Sequence, residues 1–152
     1  MNTGIKLAII FATLSSCDRG MVEPIQQGEY IYYNKLAQPL RFELYKTDSN
    51  SSIEYVLKAN DSITFVVKGD VLAFPFNDTE IENRTGDKVI LRFDDGTCTT
   101  YVRNRDSGLL DGTGFFNLPL YENYSQELVN QKSYTLRYFI NQKDHSLSLT
   151  CD

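Results

Sequence analysis

The chain has 152 residues, with 15 basic and 20 acidic side chains and a formal net charge of −5 at pH 7. That length is one domain, and an acidic chain without a basic stripe argues against nucleic acid and against electrostatic adhesion to anionic lipid. One histidine and three cysteines without a CxxC spacing leave too few soft ligands for a metal site.

The first element is an N-terminal segment, "MNTGIKLAIIFATLSSC", with one basic side chain, Lys6, ahead of an apolar run from Leu7 to Leu14. This is the three-part plan of a secretory signal. The run is too short to cross a bilayer, which takes about 20 apolar residues. Leu14-Ser15-Ser16-Cys17 resembles a bacterial lipobox. The resemblance implies cleavage before Cys17 and acylation (palmitate included) of its sulfur and its new amino group. The alternative is ordinary signal cleavage nearby, with Cys17 left as a thiol. Two or more acyl chains on one residue anchor stably where one does not, so the lipid would supply the membrane attachment.

The domain plan is then a signal peptide over 1–16, a lipidated cysteine and linker over 17–29, and a β-sandwich over 30–152. The linker, "DRGMVEPIQQGE", has no period and carries Gly20, Pro24 and Gly28. From Tyr30 onward apolar residues alternate. Leu40, Phe42 and Leu44 share a face, as do Ile53, Tyr55 and Leu57, then Ile63, Phe65 and Val67. Val89, Leu91 and Phe93 follow, and later Tyr134, Leu136, Tyr138 and Ile140. Period two with β-branched and aromatic enrichment is the strand signature.

Turn residues divide these runs: Asp48 to Ser52, a tight hairpin at Ala59-Asn60-Asp61, and another at Asp94-Asp95-Gly96. The pattern predicts an all-β, antiparallel sandwich of about seven to nine strands. Tyr121 to Lys132 reads either as one helical face (Tyr121, Tyr124, Leu128) or as a hairpin entering the Tyr134 strand, and the hairpin is preferred. Asn141, with Asp144 three residues on, predicts one capped C-terminal helical turn. With Cys17 lipidated, Cys98 and Cys151 remain. Two cysteines in an exported domain read as one disulfide, worth about 2–4 kcal/mol, against the alternative of two buried thiols.

Arg103 to Pro119 breaks the rhythm with three glycines, a Leu-Leu and a Phe-Phe pair. Long loops on β scaffolds are where binding usually sits; the alternative is that the phenylalanines plug one end of the sandwich. Tyr32, Tyr101, Tyr121 and Tyr124 are expected at the surface, where tyrosine faces can stack on a sugar or pack on a protein. Tyr101, Phe115, Phe116, Tyr121 and Tyr124 are therefore the candidate ligand-binding residues.

No catalytic constellation stands out. His145 has no GxSxG serine to serve and reads as a solvated side chain. Glu80 and Glu82 read as solvated, and Asp94-Asp95-Gly96 as a turn. Asp106 and Asp111 lack the ligand spacing of an EF-hand. "GTG" at 112–114 lacks the context of a phosphate loop. Neither an enzyme, a metal nor a cofactor is expected.

"LSSC", "DKVILRFDDGTCTTY" (87–101) and "YENYSQELVNQKSYTLRYFINQKDHSLSLTC" (121–151) together resemble the small cell-envelope lipoproteins of gut Bacteroidales. The resemblance implies an immunoglobulin-like sandwich anchored by lipid at the cell envelope, at the outer membrane, with the leaflet left open, and it carries no activity with it. Asp61-Ser62-Ile63 also resembles the short O-glycosylation motif of those bacteria. Two functions are then expected in order: a non-enzymatic domain that binds or scaffolds an envelope protein, and a glycan-binding accessory lipoprotein using the exposed tyrosines and the 103–119 loop. An exposed flat strip of the five aromatic residues would mark the second.

Overall fold

The alternating runs become eight strands in the computed structural model, which describes residues 26–45, 52–69, 88–103 and 113–151. They are β1 (Gln26–Asn34), β2 (Leu40–Tyr45), β3 (Ser52–Leu57), β4 (Ser62–Gly69), β5 (Lys88–Phe93), β6 (Thr97–Val102), β7 (Ser133–Ile140) and β8 (Leu149–Thr150). One sheet has the order β4-β1-β7 and the other β3-β2-β5-β6-β8. Rings from both sheets meet between them: Tyr32 of β1 lies 5.5 Å from Phe42 of β2, and Phe65 of β4 lies 5.5 Å from Tyr55 of β3. The architecture is the all-β sandwich expected from the alternation. Cys17, Glu80, Glu82, Asp106 and Asp111 lie outside the described residues.

Three expectations are corrected. β1 begins at Gln26, so the last residues read as linker are strand. β1 pairs antiparallel with β4 but parallel with β7, so the sandwich is not wholly antiparallel. Parallel pairing here joins the first strand to the seventh, and alternation within either strand carries no record of direction. The Ala59-Asn60-Asp61 turn is not a hairpin, because β3 pairs with β2 in one sheet and β4 with β1 in the other. It is an arch that carries the chain across the core.

The arch is held by Asn34, a fully buried side chain that the alternation gave no reason to notice. Its Nδ2 donates to the carbonyls of Gln38 and Lys58 at 2.9 and 3.0 Å, and its backbone N–H donates to the Asp61 carbonyl at 2.8 Å. Asn60 takes φ +61°, which an asparagine tolerates better than most residues. The Asp94-Asp95-Gly96 turn closes the β5–β6 hairpin as expected, with Gly96 at φ +81° donating its N–H to the Phe93 carbonyl.

The Tyr121 to Lys132 stretch is neither a regular hairpin nor one helix. It follows a 3-10 turn at Leu118–Leu120, bridges β7 once through the antiparallel pair Glu122–Arg137, and then holds a second 3-10 turn at Gln126–Asn130. The bridge at Glu122 and the left-handed φ of +68° at Asn123 interrupt the stretch, which rules out a continuous helix from Tyr121. The expected C-terminal cap is present. In α1 (Gln142–Ser146), Lys143 N–H donates to Asn141 Oδ1 at 2.8 Å and Asn141 N–H to Asp144 Oδ2 at 2.9 Å.

Gly28 is buried in β1 opposite Tyr134, whose ring occupies the space a β-carbon would need. Overpacking of this kind costs about 1–3 kcal/mol. Gly28→Ala is expected to lower the urea midpoint accordingly. An unchanged midpoint would mean that the ring swings clear at no cost.

Cys98 and Cys151, 53 residues apart in sequence, stand at disulfide distance with Cα atoms 5.2 Å apart, inside the range a bridge requires. This contact and two register pairs tie β8 to β6.

Candidate functional site

Four of the five nominated aromatic residues are core. Tyr101, Phe115, Phe116 and Tyr121 are each no more than 6% exposed, and Tyr124 is half-buried against them. Tyr32, also expected at the surface, is fully buried. The phenylalanines of the 103–119 stretch act as the plug: Phe115 stacks on Tyr138 at 4.4 Å and on Tyr32 at 5.1 Å. Gly114 makes this possible by taking φ +53° where the Tyr101 ring leaves no space for a β-carbon. No exposed aromatic strip of these five exists, so the glycan reading loses the feature that supported it.

The buried hydroxyls pair among themselves. Tyr32 and Tyr121 hydroxyls lie 3.0 Å apart, and Tyr121 donates to the Phe115 carbonyl at 2.7 Å. Tyr101 and Tyr138 both donate to Oδ1 of Asp144, at 2.6 and 2.8 Å. Asp144 is 4% exposed, so one carboxylate joins β6, β7 and the helix cap. Burial, then the neighbouring carboxylate, pushes the Tyr101 and Tyr138 phenols well above their ordinary value.

His145 sits edge-on to Phe93, 4.6 Å between ring centroids, with Nε2 2.8 Å from Asp95 Oδ2. The Thr97 hydroxyl and N–H, followed by His145, pull the Asp95 carboxyl down to about 2. That pair fastens α1 onto the β5–β6 turn. Among the described residues no three His, Cys, Asp or Glu side chains gather as a metal cluster would.

A further polar group lies on the outer face of the five-stranded sheet. Glu43 points outward by parity yet is only 5% exposed, because Arg92 Nε (2.6 Å) and the Tyr45 hydroxyl (2.7 Å) close over it. The hydrogen bond to Glu43 raises the Arg92 pKa and keeps the guanidinium charged. Arg92 Nη1 also reaches Cys98 Sγ at 3.3 Å. Cross-strand position could have suggested Arg92 beside Glu43, but not the depth of their burial.

The same face carries a groove of about 680 Å³. It starts at Tyr45 and Lys88, crosses Arg92, Cys98 and Thr100, and ends against Leu147 and Leu149. A second cavity of about 460 Å³ adjoins it, sharing Tyr101, Thr113 and Leu147, with Asp144 in its lining. Sequence reasoning missed this surface, since its residues come from four strands and the C-terminal segment. Compared with protein families, curated proteins and solved structures, the chain matches none of them.

Proposed function

We propose that the chain is a lipid-anchored cell-envelope protein whose β-sandwich is a non-enzymatic binding domain. Cys17 carries the lipid, and the groove on the five-stranded sheet is the recognition surface. The observation that carries the binding part is the groove itself, a concave surface of about 680 Å³ on paired strands. The buried carboxylates next to it favour a positioning role over chemistry: Glu43 holds Arg92 of its lining, and Asp144, in the adjoining cavity, holds Tyr101.

The anchoring part is supported by Leu14-Ser15-Ser16-Cys17 after an apolar run. The chain between Cys17 and Gln26, fully extended, reaches at most about 30 Å. A domain so tethered stays near the bilayer with its strands free to present a face.

Intact mass of the protein purified from its own membrane tests this reading, measured with and without reductant. The expected mass is that of residues 17–152 plus acyl chains, rising by two hydrogens on reduction. A mass without lipid, or one retaining residues 1–16, overturns the anchoring. A lipidated mass unmoved by reductant would leave the anchor and remove the Cys98–Cys151 bridge.

A further inference from the structure

We propose that the Cys98–Cys151 bridge is a thiol-exchangeable clasp, opened by attack of a low-molecular-weight thiol on Cys151, with Cys98 leaving as a thiolate held by Arg92. This goes beyond the binding-domain reading: it concerns how one end of the groove is held, whatever the groove takes.

The two sulfurs stand in unlike surroundings. Cys98 and Arg92 are a register pair of the β5–β6 hairpin, and Arg92 Nη1 donates to Cys98 Sγ at 3.3 Å. Glu43 takes the Nε side of the same guanidinium at 2.6 Å and is itself met by the Tyr45 hydroxyl. What reaches the sulfur is therefore one N–H of an ionised group rather than an unpaired charge. Hydrogen bonds from an ionised donor are roughly twice as strong as neutral ones, and a sulfur gains most from such a donor once it is a thiolate. Among the described residues no side chain donates to Cys151 Sγ. Both cysteines are half-buried, and Cys151 lines the groove and also a separate cavity of about 410 Å³ beside Arg41 and Gly96.

In disulfide exchange the thiol of lower pKa leaves faster. Arg92 makes that thiol Cys98. The incoming thiolate bonds to Cys151 Sγ, the bridge breaks, and its electron pair stays on Cys98 Sγ. Reclosure runs in reverse: the Cys98 thiolate attacks Cys151 Sγ, and the captured thiol leaves and takes a proton from water. No oxidant or reductant beyond the thiol itself enters.

Little besides the bridge holds the end of the chain. β8 has two register pairs with β6, Leu149 is 77% exposed, and the Cys151 N–H reaches the Gly96 carbonyl at 3.4 Å. The helical turn before it is fastened independently, by Asp144 to Tyr101 and Tyr138 and by His145 to Asp95. Opening the bridge therefore frees residues 149–151 while α1 stays, and those three residues line one end of the groove.

The mature protein in detergent, treated briefly with reduced glutathione and quenched with N-ethylmaleimide, tests the clasp, with peptide mass mapping to locate the two labels. The expected result is glutathione on Cys151 and maleimide on Cys98, favoured over the reverse by about threefold or more, the scale on which exchange rates respond to one unit of thiol pKa. The double variant Glu43→Gln, Arg92→Gln removes both charges together, so that neither is left buried alone, and is expected to abolish the preference. In the opened protein, hydrogen exchange is expected to quicken at residues 149–151 and to stay unchanged over Gln142–Ser146. Labels in the reverse order or shared equally overturn Cys98 as the leaving group, as does a preference that survives in the double variant. Opening only in urea, or a starting mass unmoved by reductant, overturns the exchangeable bridge. Unchanged hydrogen exchange at residues 149–151 overturns the release of β8. None of these outcomes bears on the lipid anchor or on the groove as a binding surface, so the two readings fail separately.

Discussion

Replacing Asp144 by alanine is expected to destabilise the domain by about 3–5 kcal/mol, the scale for breaking a buried charged network. The loss has three sources. The Tyr101 and Tyr138 hydroxyls lose their common acceptor, and the Asn141 N–H loses the oxygen that caps α1. A buried donor left unsatisfied costs about 1–3 kcal/mol, and a lost cap about 1. Asp144→Asn keeps an oxygen for the phenols but turns an amide donor toward the Asn141 N–H, so about half the loss is expected, again on the scale of one unsatisfied buried group. Urea unfolding followed by far-ultraviolet circular dichroism measures both. A loss under about 1 kcal/mol for the alanine variant would place water, not protein, around those hydroxyls.

The second large effect is alkaline unfolding. Tyr30, Tyr32, Tyr101, Tyr121 and Tyr138 all have phenols raised well above the ordinary value of 10.0, with burial the largest cause in each. The folded state holds these protons more tightly than the unfolded chain does. Their contribution is therefore complete below pH 10 and is lost as pH rises above it. Each such group removes up to about 1.4 kcal/mol of stability per pH unit in that range. With five of them acting together, unfolding and phenol ionisation are expected as one cooperative step above pH 10. Tyrosinate absorbance and strand circular dichroism, followed on the same samples, would show it. Ionisation of these groups through pH 10 with the strand signal intact would mean that the aromatic core admits solvent.

How much of this was legible depends on how local the information is. Leu40, Phe42 and Leu44 announce an inward face because period two is a property of six consecutive residues, and all three are buried. The Asp94-Asp95-Gly96 turn and the Asn141–Asp144 cap are equally local. Ala59-Asn60-Asp61 carries the same turn chemistry whether it closes a hairpin or an arch, and only distant partners decide between them. The parallel β1–β7 pair is undetermined for the same reason.

The candidate site failed differently. In Thr97 to Val102 the apolar Cys98 and Val102 share the face opposite Tyr101, whose own face carries only Thr97 and Thr99, so the strand pattern gave no sign that Tyr101 and Thr99 are the buried pair. Gly28 shares parity with Tyr30 and Tyr32, and a small residue on an inward face signals a neighbour filling its space. The groove had no such signal. It is lined mostly by outward residues of β2, β5, β6 and β8, together with Thr113 and Leu147 from outside the strands, and only the folded order of these segments brings them together.

β1 is the middle strand of its sheet, flanked by β4 and β7 through eight register pairs on each side. A pull on the chain upstream of Gln26 runs along that strand and loads both ladders in shear, so that all their hydrogen bonds share the force at once. An edge strand, with a ladder on one side alone, would meet the same pull with about half as many bonds. The chain therefore enters this domain through the strand best placed to bear tension, and force from the N-terminal side meets the molecule's mechanical strength rather than its weakest seam.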